Sequence, residues 1–371
     1  MKTLHIGLMS GTSLDGVDAV LVDLPATGEL KVRGHAHLPL PAALHAELLA
    51  LNTPADNELH RAALAANALS RVYAEAVARL LERSGSAASS IRSIGAHGQT
   101  VRHRPGDSAT DGYTLQIINP SLLVELTGID VVADFRSRDV AAGGQGAPLV
   151  PAFHRAVFAK PGKTVMVLNL GGISNLTVLL SDGETIGFDC GPANVLMDHW
   201  CQQFTGHLYD DAGAWAATGQ VLQPLLESML CEPYFALAPP KSTGRDLFNP
   251  RWLASHLRDH ASAAAQDVQA TLAELTARSC ADAVRPYASA AGDLLVCGGG
   301  AFNVHLLGRL AAQMPGVAMA TTDTLGLPAT QIEAAAFAWL AREHCDRRTG
   351  NLPSVTGAAG GRVLGALYPA G

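Results

Sequence analysis

Apolar stretches and short glycine-rich polar segments alternate along this chain, a pattern typical of strands joined by tight turns. The first apolar stretch runs from Leu4 to Leu8, and apolar alternation resumes at Val17, Val20 and Val22. Glycine, serine, threonine and aspartate residues lie between the two stretches. The pattern predicts a β-hairpin whose turn presents backbone N–H groups and hydroxyls, groups that can surround a phosphate.

The aspartates of this turn extend its possible chemistry to a metal ion. Asp15 or Asp18 could hold a hydrated Mg²⁺, because Mg²⁺ takes oxygen ligands and keeps several of its waters. The alternative is an ordinary glycine-rich hairpin, since glycine is the default turn residue. Partners elsewhere in the chain would favour the first interpretation.

The same pattern recurs later in the chain. Val165–Leu168 is apolar, Asn169–Asn175 is a small polar turn with two glycines, and Leu176–Leu180 is apolar again. Two such hairpins, each opening its own part of the chain, predict duplicated α/β domains that face one another. Phosphates held by paired hairpins need no lysine-bearing P-loop, and no G-x-x-x-x-G-K-[ST] motif occurs.

Further elements follow from hydrophobic periodicity and from Gly and Pro breakers. They comprise strands at 30–38, 91–96, 185–188 and 294–297, and helices at about 59–83, 275–284, 304–310 and 331–342. The strand at 294–297 runs into Gly298, Gly299 and Gly300, which permit close backbone approach to a nucleotide. This segment is not G-x-G-x-x-G, so a Rossmann dehydrogenase is poorly supported.

Polar residues at the predicted strand ends are the candidates for catalysis and binding. Asp189 follows one strand and precedes a helix, so it is either a base or metal contact, or simply a helix cap. His97 and Gln99 follow another strand, and the alternative for His97 is a satisfied interior histidine. Residues 142–148, with three glycines within four positions, suit a mobile substrate loop or hinge; an inert linker is the alternative.

Composition excludes several classes of partner. The net charge of −7 and the isoelectric point near 6.0 argue against nucleic acid or an anionic membrane surface. No uncharged apolar run reaches the length of a membrane helix, and no signal peptide is recognisable. The six cysteines have no C-x-x-C spacing, which excludes the usual zinc site and predicts reduced thiols in a cytoplasmic protein.

An ordered series of motifs resembles the anhydro-N-acetylmuramic acid kinase family from the first strand to the last. The motifs are Met9-Ser-Gly-Thr-Ser-Leu-Asp-Gly-Val-Asp18, His97-Gly-Gln99, Asp134-Phe-Arg136, Gly143-Gly-Gln-Gly-Ala-Pro-Leu-Val-Pro151, Asn169-Leu-Gly-Gly-Ile-Ser-Asn175, Phe188-Asp-Cys-Gly-Pro192, Lys241-Ser-Thr-Gly-Arg245 and Cys297-Gly-Gly-Gly-Ala-Phe-Asn303. One motif alone would be weak evidence, whereas the series is highly specific.

The resemblance implies a fold and an activity. The fold is α/β, with two duplicated actin-like ATPase (ribonuclease H-like) domains and ATP in the cleft between them. We expect residues 1–128, completed by 350–371, to form the first domain and residues 129–349 the second. The implied enzyme uses ATP and water to open the 1,6-anhydro ring of 1,6-anhydro-N-acetylmuramic acid and to phosphorylate O6, in the recycling of peptidoglycan.

The resemblance also assigns roles to individual residues. Asp189 matches the catalytic aspartate, and Asp18 is the candidate Mg²⁺ ligand. The positions that match sugar contacts are His97, Gln99, Arg136 and Glu333, with Arg138 as an alternative to Arg136. The positions that match ATP contacts are Gly11, Thr12, Ser13, Leu14, Asp15, Gly16, Val17, Asp18, Asn169, Gly171, Gly172, Asn175, Gly298, Gly299, Gly300 and Asn303.

Two functions of other classes compete with the kinase. One is an actin-like ATPase that acts as a switch or an assembly protein, and the other is a nucleotide-free glycosidase that pairs Asp189 with a second carboxylate. The predicted small-molecule partners of the kinase are ATP and the sugar, and a homodimer is what the family suggests.

Overall fold

A computed structural model describes residues 2–11, 14–25, 29–106, 112–288 and 292–371 of the chain. Thr12 and Ser13, two of the predicted ATP contacts, lie outside these residues. The strands are β1 (Leu4–Met9), β2 (Gly16–Asp23), β3 (Lys31–Pro39), β4 (Ile91–Ala96), β5 (Gln99–Arg104), β6 (Tyr113–Ile117), β7 (Val131–Ala133), β8 (Val165–Leu170), β9 (Ile173–Leu179), β10 (Thr185–Pro192), β11 (Asp293–Cys297), β12 (Ala318–Thr321) and β13 (Ala366–Tyr368).

Helices lie in half of the connections between successive strands, and several end at glycines in the left-handed conformation, such as Gly85 after the longest helix. The helices are α1 (Ala42–Ala50), α2 (Glu58–Ser84), α3 (Pro120–Thr127), α4 (Ser137–Ala141), α5 (Val150–Phe158), α6 (Asn194–Thr205), α7 (Gln223–Leu230), α8 (Pro250–His256), α9 (Ala265–Val284), α10 (Val304–Gln313), α11 (Ile332–Cys345) and α12 (Pro353–Thr356). Within the described ranges, no helix is long and apolar enough to span a bilayer.

The first compact unit contains residues 1–157 and 331–371. Its sheet has the strand order β13-β7-β4-β1-β2-β3. The strands β1, β2 and β3 pair antiparallel, whereas β4 is parallel to β1 and β7 is parallel to β4. Ile6 and Leu8 of β1 pack in one core with Leu69 and Tyr73 of α2.

The second compact unit contains residues 158–330 and has the sheet order β10-β9-β8-β11-β12. Its first three strands are again antiparallel, and β11 and β12 continue the sheet in parallel. This order repeats β3-β2-β1-β4-β7 of the first unit strand for strand, with matching directions. The prediction of a duplicated α/β architecture from the two hairpins is confirmed.

The limits of the two units differ from the predicted domain limits at two segments. Residues 129–157 and 331–349 belong to the first compact unit, although the sequence prediction assigned them to the second domain. The reason lies in long-range pairing, because β7 is parallel to β4 and α11 packs on β1 and β4. The closing segment, 350–371, returns to the first unit as predicted and adds β13 beside β7.

Two glycines let α11 lie directly on the sheet of the first unit. Gly7 of β1 and Gly95 of β4 are neighbours in the parallel register. A Cβ atom on Gly7 would lie 1.7 Å from the carbonyl oxygen of Ala334, and one on Gly95 would lie 2.0 Å from that of Phe337. Gly7 is therefore a packing position beneath α11, whereas the sequence pattern placed it only within the first apolar stretch.

We expect Gly7→Ala to lower the free energy of unfolding by about 3 kcal/mol, because overpacking against a backbone atom forces the helix off the sheet. Denaturant unfolding followed by circular dichroism measures the change. Gly34→Ala is the matched control in the same sheet, since its Cβ would meet only side-chain atoms, Leu80 at 3.2 Å and Ser84 at 3.5 Å. Equal losses in the two variants would contradict the packing role of Gly7.

Asp139 ties the glycine-rich loop 142–148 to the C-terminal segment of the same unit. Its buried carboxylate accepts hydrogen bonds from the Gly146 N–H (2.8 Å), the Asn351 side-chain amide (2.6 Å) and the Thr356 hydroxyl (2.8 Å). The Gln145 N–H also donates to the Thr356 carbonyl at 2.7 Å. The loop is therefore anchored at its centre and is not an inert linker.

Candidate active site

The sheet of the second unit places three predicted site residues in one row. Asp189 of β10 is paired with Asn175 of β9, and Asn175 is paired with Asn169 of β8. Side chains at directly opposed positions of neighbouring strands lie on the same face of a sheet. The predicted base and two predicted nucleotide contacts therefore share one face, although Asn169 and Asp189 are far apart in sequence.

Asp189 lies within β10 and not at its end. A register shift between Asp189 and Gly191 marks a β-bulge, and α6 begins only at Asn194. The carboxylate Oδ2 accepts a hydrogen bond from the Thr243 N–H at 2.9 Å. The interpretation of Asp189 as a helix cap is wrong, because α6 has no side-chain cap and the Asp189 carboxylate is held by another segment.

Backbone contacts fix Asp189 on both sides. Its N–H donates to the Lys241 carbonyl at 3.1 Å, and its own carbonyl accepts from the Tyr234 hydroxyl at 2.9 Å. Burial raises the pKa of the Asp189 carboxyl to about 6, and the hydrogen bond from Thr243 opposes this shift. A carboxyl with that pKa is ionised at neutral pH and is still basic enough to accept a proton.

The glycine turn after β11 packs on the hairpin turn after β8. Gly298 has a φ of +82°, and a Cβ there would lie 2.3 Å from Oδ1 of Asn169. A Cβ on Gly300 would lie 2.6 Å from the Leu170 side chain. Three of the predicted nucleotide contacts, Asn169, Gly298 and Gly300, are therefore close together within this unit.

Asn303, another predicted nucleotide contact, also has a structural role. Its side chain caps α10 by accepting a hydrogen bond from the Leu306 N–H at 2.9 Å.

The carbonyl groups of Gly171 and Gly172 accept the first free N–H groups of α6. The Asn194 N–H donates to Gly171 at 3.0 Å, and the Ala193 and Val195 N–H groups donate to Gly172 at 3.0 and 3.1 Å. These bonds replace the missing side-chain cap. The hairpin turn is thereby held against the N-terminus of α6.

In the first unit, the turn that precedes β2 is held by its own backbone and by the sheet. The Leu14 N–H donates to the Gly11 carbonyl at 3.2 Å, and Leu14 is buried with a φ of +58°. Position 16 has room only for glycine, since a Cβ there would lie 2.5 Å from both the Leu38 carbonyl oxygen and the His37 ring. Asp15, at the tip of this turn, is exposed.

Asp18, the candidate Mg²⁺ ligand, has two imidazole neighbours on β3. Its Oδ1 is 2.9 Å from Nε2 of His35 and 3.1 Å from Nδ1 of His37. Among the described residues, no group of three or more His, Cys, Asp or Glu side chains is arranged to hold a metal ion. Asp18 therefore fits Mg²⁺ only as a single carboxylate contact, with the other ligands supplied by water and phosphate.

His97 and Arg136 form the centre of the predicted sugar contacts in the first unit. The Arg136 Nε and Nη2 groups lie 3.1 and 3.0 Å from Nε2 of His97, and Nη1 donates to the Gly146 carbonyl at 2.9 Å. Burial, and next the charge of Arg136, lower the pKa of His97 to about 3, so the imidazole is neutral. His97 is a buried acceptor that orients the guanidinium.

Glu333 is coupled to Arg136, whereas Gln99 contacts the turn after β1. Burial lowers the pKa of Arg136, and the negative charge of Glu333 opposes that shift, which makes Glu333 an electrostatic partner of Arg136. Gln99 is buried, and its Nε2 donates to the Gly11 carbonyl at 3.2 Å. Arg138, the alternative to Arg136, is exposed and donates to the Val363 carbonyl at 3.1 Å. The structure thus brings His97 and Glu333 together with Arg136, and among the described residues it shows no hydrogen bond of Gln99 or Arg138 with that group.

Several positioning residues were not assigned by sequence reasoning. Thr243 and Lys241 lie in a motif that carried the family resemblance, yet nothing in the sequence linked that motif to Asp189. No motif or periodicity in the sequence singled out Tyr234. Phe337 of α11 packs on the His97 ring with centroids 4.7 Å apart, and only the helical spacing from Glu333 could have suggested it.

Comparison with known proteins identifies relatives over the full length of the chain. A family model described as anhydro-N-acetylmuramic acid kinase matches residues 3–370. The anhydro-N-acetylmuramic acid kinase of Variovorax paradoxus is 63% identical over 99% of both chains. That of Albidiferax ferrireducens is 57% identical over 100% of both chains.

The solved structures that the chain resembles are far more distant in sequence. The activator of the 2-hydroxyisocaproyl-CoA dehydratase from Clostridium difficile, with bound ADPNP, has a TM-score of 0.46 and 12% identity and covers 93% of this chain and 97% of its own. A ROK family glucokinase from Streptomyces griseus has a TM-score of 0.42 and 14% identity, and the match covers 92% of this chain and 99% of the glucokinase chain. On the full-length family match and the close relatives, this chain belongs to the anhydro-N-acetylmuramic acid kinase family.

Proposed function

We propose that this protein phosphorylates 1,6-anhydro-N-acetylmuramic acid at O6 with ATP while water opens the anhydro ring, giving N-acetylmuramic acid 6-phosphate and ADP. Membership of the family supports the reaction, and the predicted base has surroundings that suit the role. The observation that carries the proposal is the Asp189 carboxylate, which Thr243 orients at 2.9 Å and whose pKa burial raises to about 6.

The proposed chemistry needs a base for one water molecule. Asp189 removes a proton from a water that attacks the anomeric carbon, and the bond between that carbon and O6 breaks. O6 then attacks the γ-phosphorus of ATP, and the bond to the ADP oxygen breaks. Proton transfer by a positioned carboxylate contributes typically about 10²–10⁴-fold, and alignment of the reactants supplies much of the remainder.

Backbone groups of both hairpin turns are proposed to contact the nucleotide. In the second unit, the turn Asn169–Asn175 and the glycines that follow Cys297 pack together, and Gly172 and Gly299 are exposed there. In the first unit, the turn that ends at Asp18 supplies the matching contacts. Phosphoryl transfer relies mainly on positioning and charge neutralisation. Mg²⁺ held beside Asp18 would supply positive charge to the phosphates.

Arg136 is proposed to bind the lactyl carboxylate of the sugar. Its guanidinium is preoriented by His97 and Gly146, and a planar guanidinium suits the two oxygens of a carboxylate. Glu333 and Gln99 are proposed to contact polar groups of the same sugar. A homodimer in the cytoplasm and an ATP site between the two domains remain predictions from the family resemblance.

The direct experiment follows ADP release by the purified protein. We expect release only when both ATP and 1,6-anhydro-N-acetylmuramic acid are present, with one N-acetylmuramic acid 6-phosphate formed per ADP. Glucose and N-acetylmuramic acid serve as control sugars, because neither carries the anhydro bond. Rapid ATP turnover without sugar would contradict the kinase and favour a nucleotide-driven switch.

The pKa of Asp189 sets the expected pH dependence. Because burial raises this pKa to about 6, the carboxylate is protonated and inactive as a base below that pH. We expect kcat/KM to be constant from about pH 7 to 8 and to fall about tenfold per unit below pH 6. A pH profile of kcat/KM for the sugar, measured with saturating ATP, checks this. Thermal melting at each pH shows whether a fall in rate reflects protonation of Asp189 or unfolding of the protein. An acid limb centred near pH 4 would contradict the assignment.

A further inference from the structure

The second unit contains a cavity that the proposed reaction does not use. Its volume is about 400 Å³, which lies in the range of small-molecule sites. It is walled by β10, α9 and the segment between α7 and α8. The lining includes Phe188, Phe235, Lys241, Arg278, Ala283 and Tyr287.

The cavity carries positive charge without a matching carboxylate. The Lys241 ammonium is 3.3 and 3.4 Å from the carbonyl oxygens of Tyr234 and Phe235, which are long contacts to neutral acceptors. No ion pair between described residues involves Lys241 or Arg278. Asp282 also lines the cavity, but its carboxylate is paired with the Arg285 guanidinium. The Lys241 ammonium also lies 4.8 Å from the centroid of the Tyr234 ring, but among the described residues neither cation has a carboxylate partner that an acidic ligand would have to displace.

Aromatic rings supply the remainder of the wall. Phe188 and Tyr287 have ring centroids 6.3 Å apart, and the Phe235 ring, which also lines the cavity, lies near Gly191. Flat apolar groups pack well against such rings, and a guanidinium binds a carboxylate through two parallel hydrogen bonds. We propose that this cavity binds a small organic acid, with its carboxylate on Lys241 and Arg278 and its apolar ring among Phe188, Phe235 and Tyr287.

This site is distinct from the candidate active site, although it shares a strand with it. Phe188 and Cys190 line the cavity, and Asp189 between them does not. Successive side chains of a strand point to opposite faces, so the Asp189 carboxylate lies on the other face of β10. The two sites also meet at Lys241, whose side chain lines the cavity and whose carbonyl accepts from the Asp189 N–H.

The first test measures binding of 2-naphthoate, an aromatic carboxylate, to the full-length protein by isothermal titration calorimetry. We expect one site per chain and an affinity at least about tenfold weaker in Arg278→Gln, because a hydrogen bond to a charged group is lost. Arg251→Gln is the control, since Arg251 is an exposed arginine of α8 that does not line the cavity. Equal binding to Arg278→Gln and wild type would overturn the proposal.

A second variant tests the same site without removing a charge. Ala283→Trp places an indole in the cavity and is expected to abolish 2-naphthoate binding, with circular dichroism confirming the fold. Saturating ATP is expected to leave the 2-naphthoate affinity unchanged, because the nucleotide contacts lie elsewhere. Full binding by Ala283→Trp, or displacement of 2-naphthoate by ATP, would overturn the assignment to this cavity.

Discussion

Replacing Asp189 with asparagine is expected to lower the rate of sugar-dependent ADP release by about 10²–10⁴-fold while both ligands still bind. Asparagine keeps the shape and can still accept the hydrogen bond that Thr243 donates to the carboxylate at 2.9 Å. It cannot accept a proton from water. The loss should therefore appear in kcat, with little change in the dissociation constants of ATP and sugar measured by calorimetry.

Stability provides a check on this result. A carboxyl whose pKa is raised on folding weakens the native state as the pH rises from its unfolded pKa, near 3.8, through its folded value, about 6. The cost at neutral pH is on the order of 3 kcal/mol if no relaxation occurs. Asp189→Asn removes that cost, so its melting temperature should equal or exceed that of the wild type.

The control for this variant is Asp182→Asn in the turn between β9 and β10. Asp182 is exposed, and its Oδ1 accepts only a local bond from the Glu184 N–H at 3.0 Å. We expect unchanged turnover. Near-normal activity in Asp189→Asn, with Asp182→Asn also active, would remove Asp189 from the role of base.

The second large effect is expected from Arg136→Gln, which should raise the KM for the sugar by about 30- to several thousand-fold, the equivalent of about 2–5 kcal/mol. The guanidinium is held by His97 and Gly146, so its remaining N–H groups are available in a fixed orientation. Glutamine has neither the charge nor the planar pair of donors. Initial rates at saturating ATP over a range of sugar concentrations give KM and kcat separately.

Arg138→Gln is the matched control, because Arg138 is two residues away but exposed and bound to the Val363 carbonyl. We expect its KM to stay within a few-fold of the wild type. Melting temperatures of both variants should be compared, since Arg136→Gln leaves Nε2 of His97 without its donor. A larger KM change in Arg138→Gln would transfer the carboxylate contact to that residue.

Local patterns in the sequence predicted most individual elements correctly. The strand at Ile91–Ala96 agrees residue for residue with β4, and the alanine-rich helix with Glu333 in its first turn is α11. Errors occur where a long-range contact overrides the local signal. The strand predicted to end at Phe188 continues through Asp189 to Pro192, because β10 stays paired with β9 across a bulge.

The family resemblance assigned roles to Asp189, His97, Arg136 and Glu333, and these roles stay predictions. Motif order gave no information about the contacts between those residues and their neighbours. It could not show that Thr243 orients Asp189, because their hydrogen bond joins segments with no shared periodicity. It also left the choice between Arg136 and Arg138 open, whereas in the structure Arg136 contacts His97 and Gly146, and Arg138 is exposed and contacts Val363.

The sequence by itself determined the two glycine-rich hairpins, the α/β class and the family, because turn chemistry and hydrophobic period are properties of neighbouring residues. Only the tertiary structure placed Asn169, Asn175 and Asp189 in one row and assigned residues 331–349 to the first compact unit. The physical reason is strand register and helix packing, which depend on contacts between distant segments. Gly7 shows the difference most clearly: the pattern gives it no role beyond its place in the first strand, and the fold makes it the position on which α11 packs.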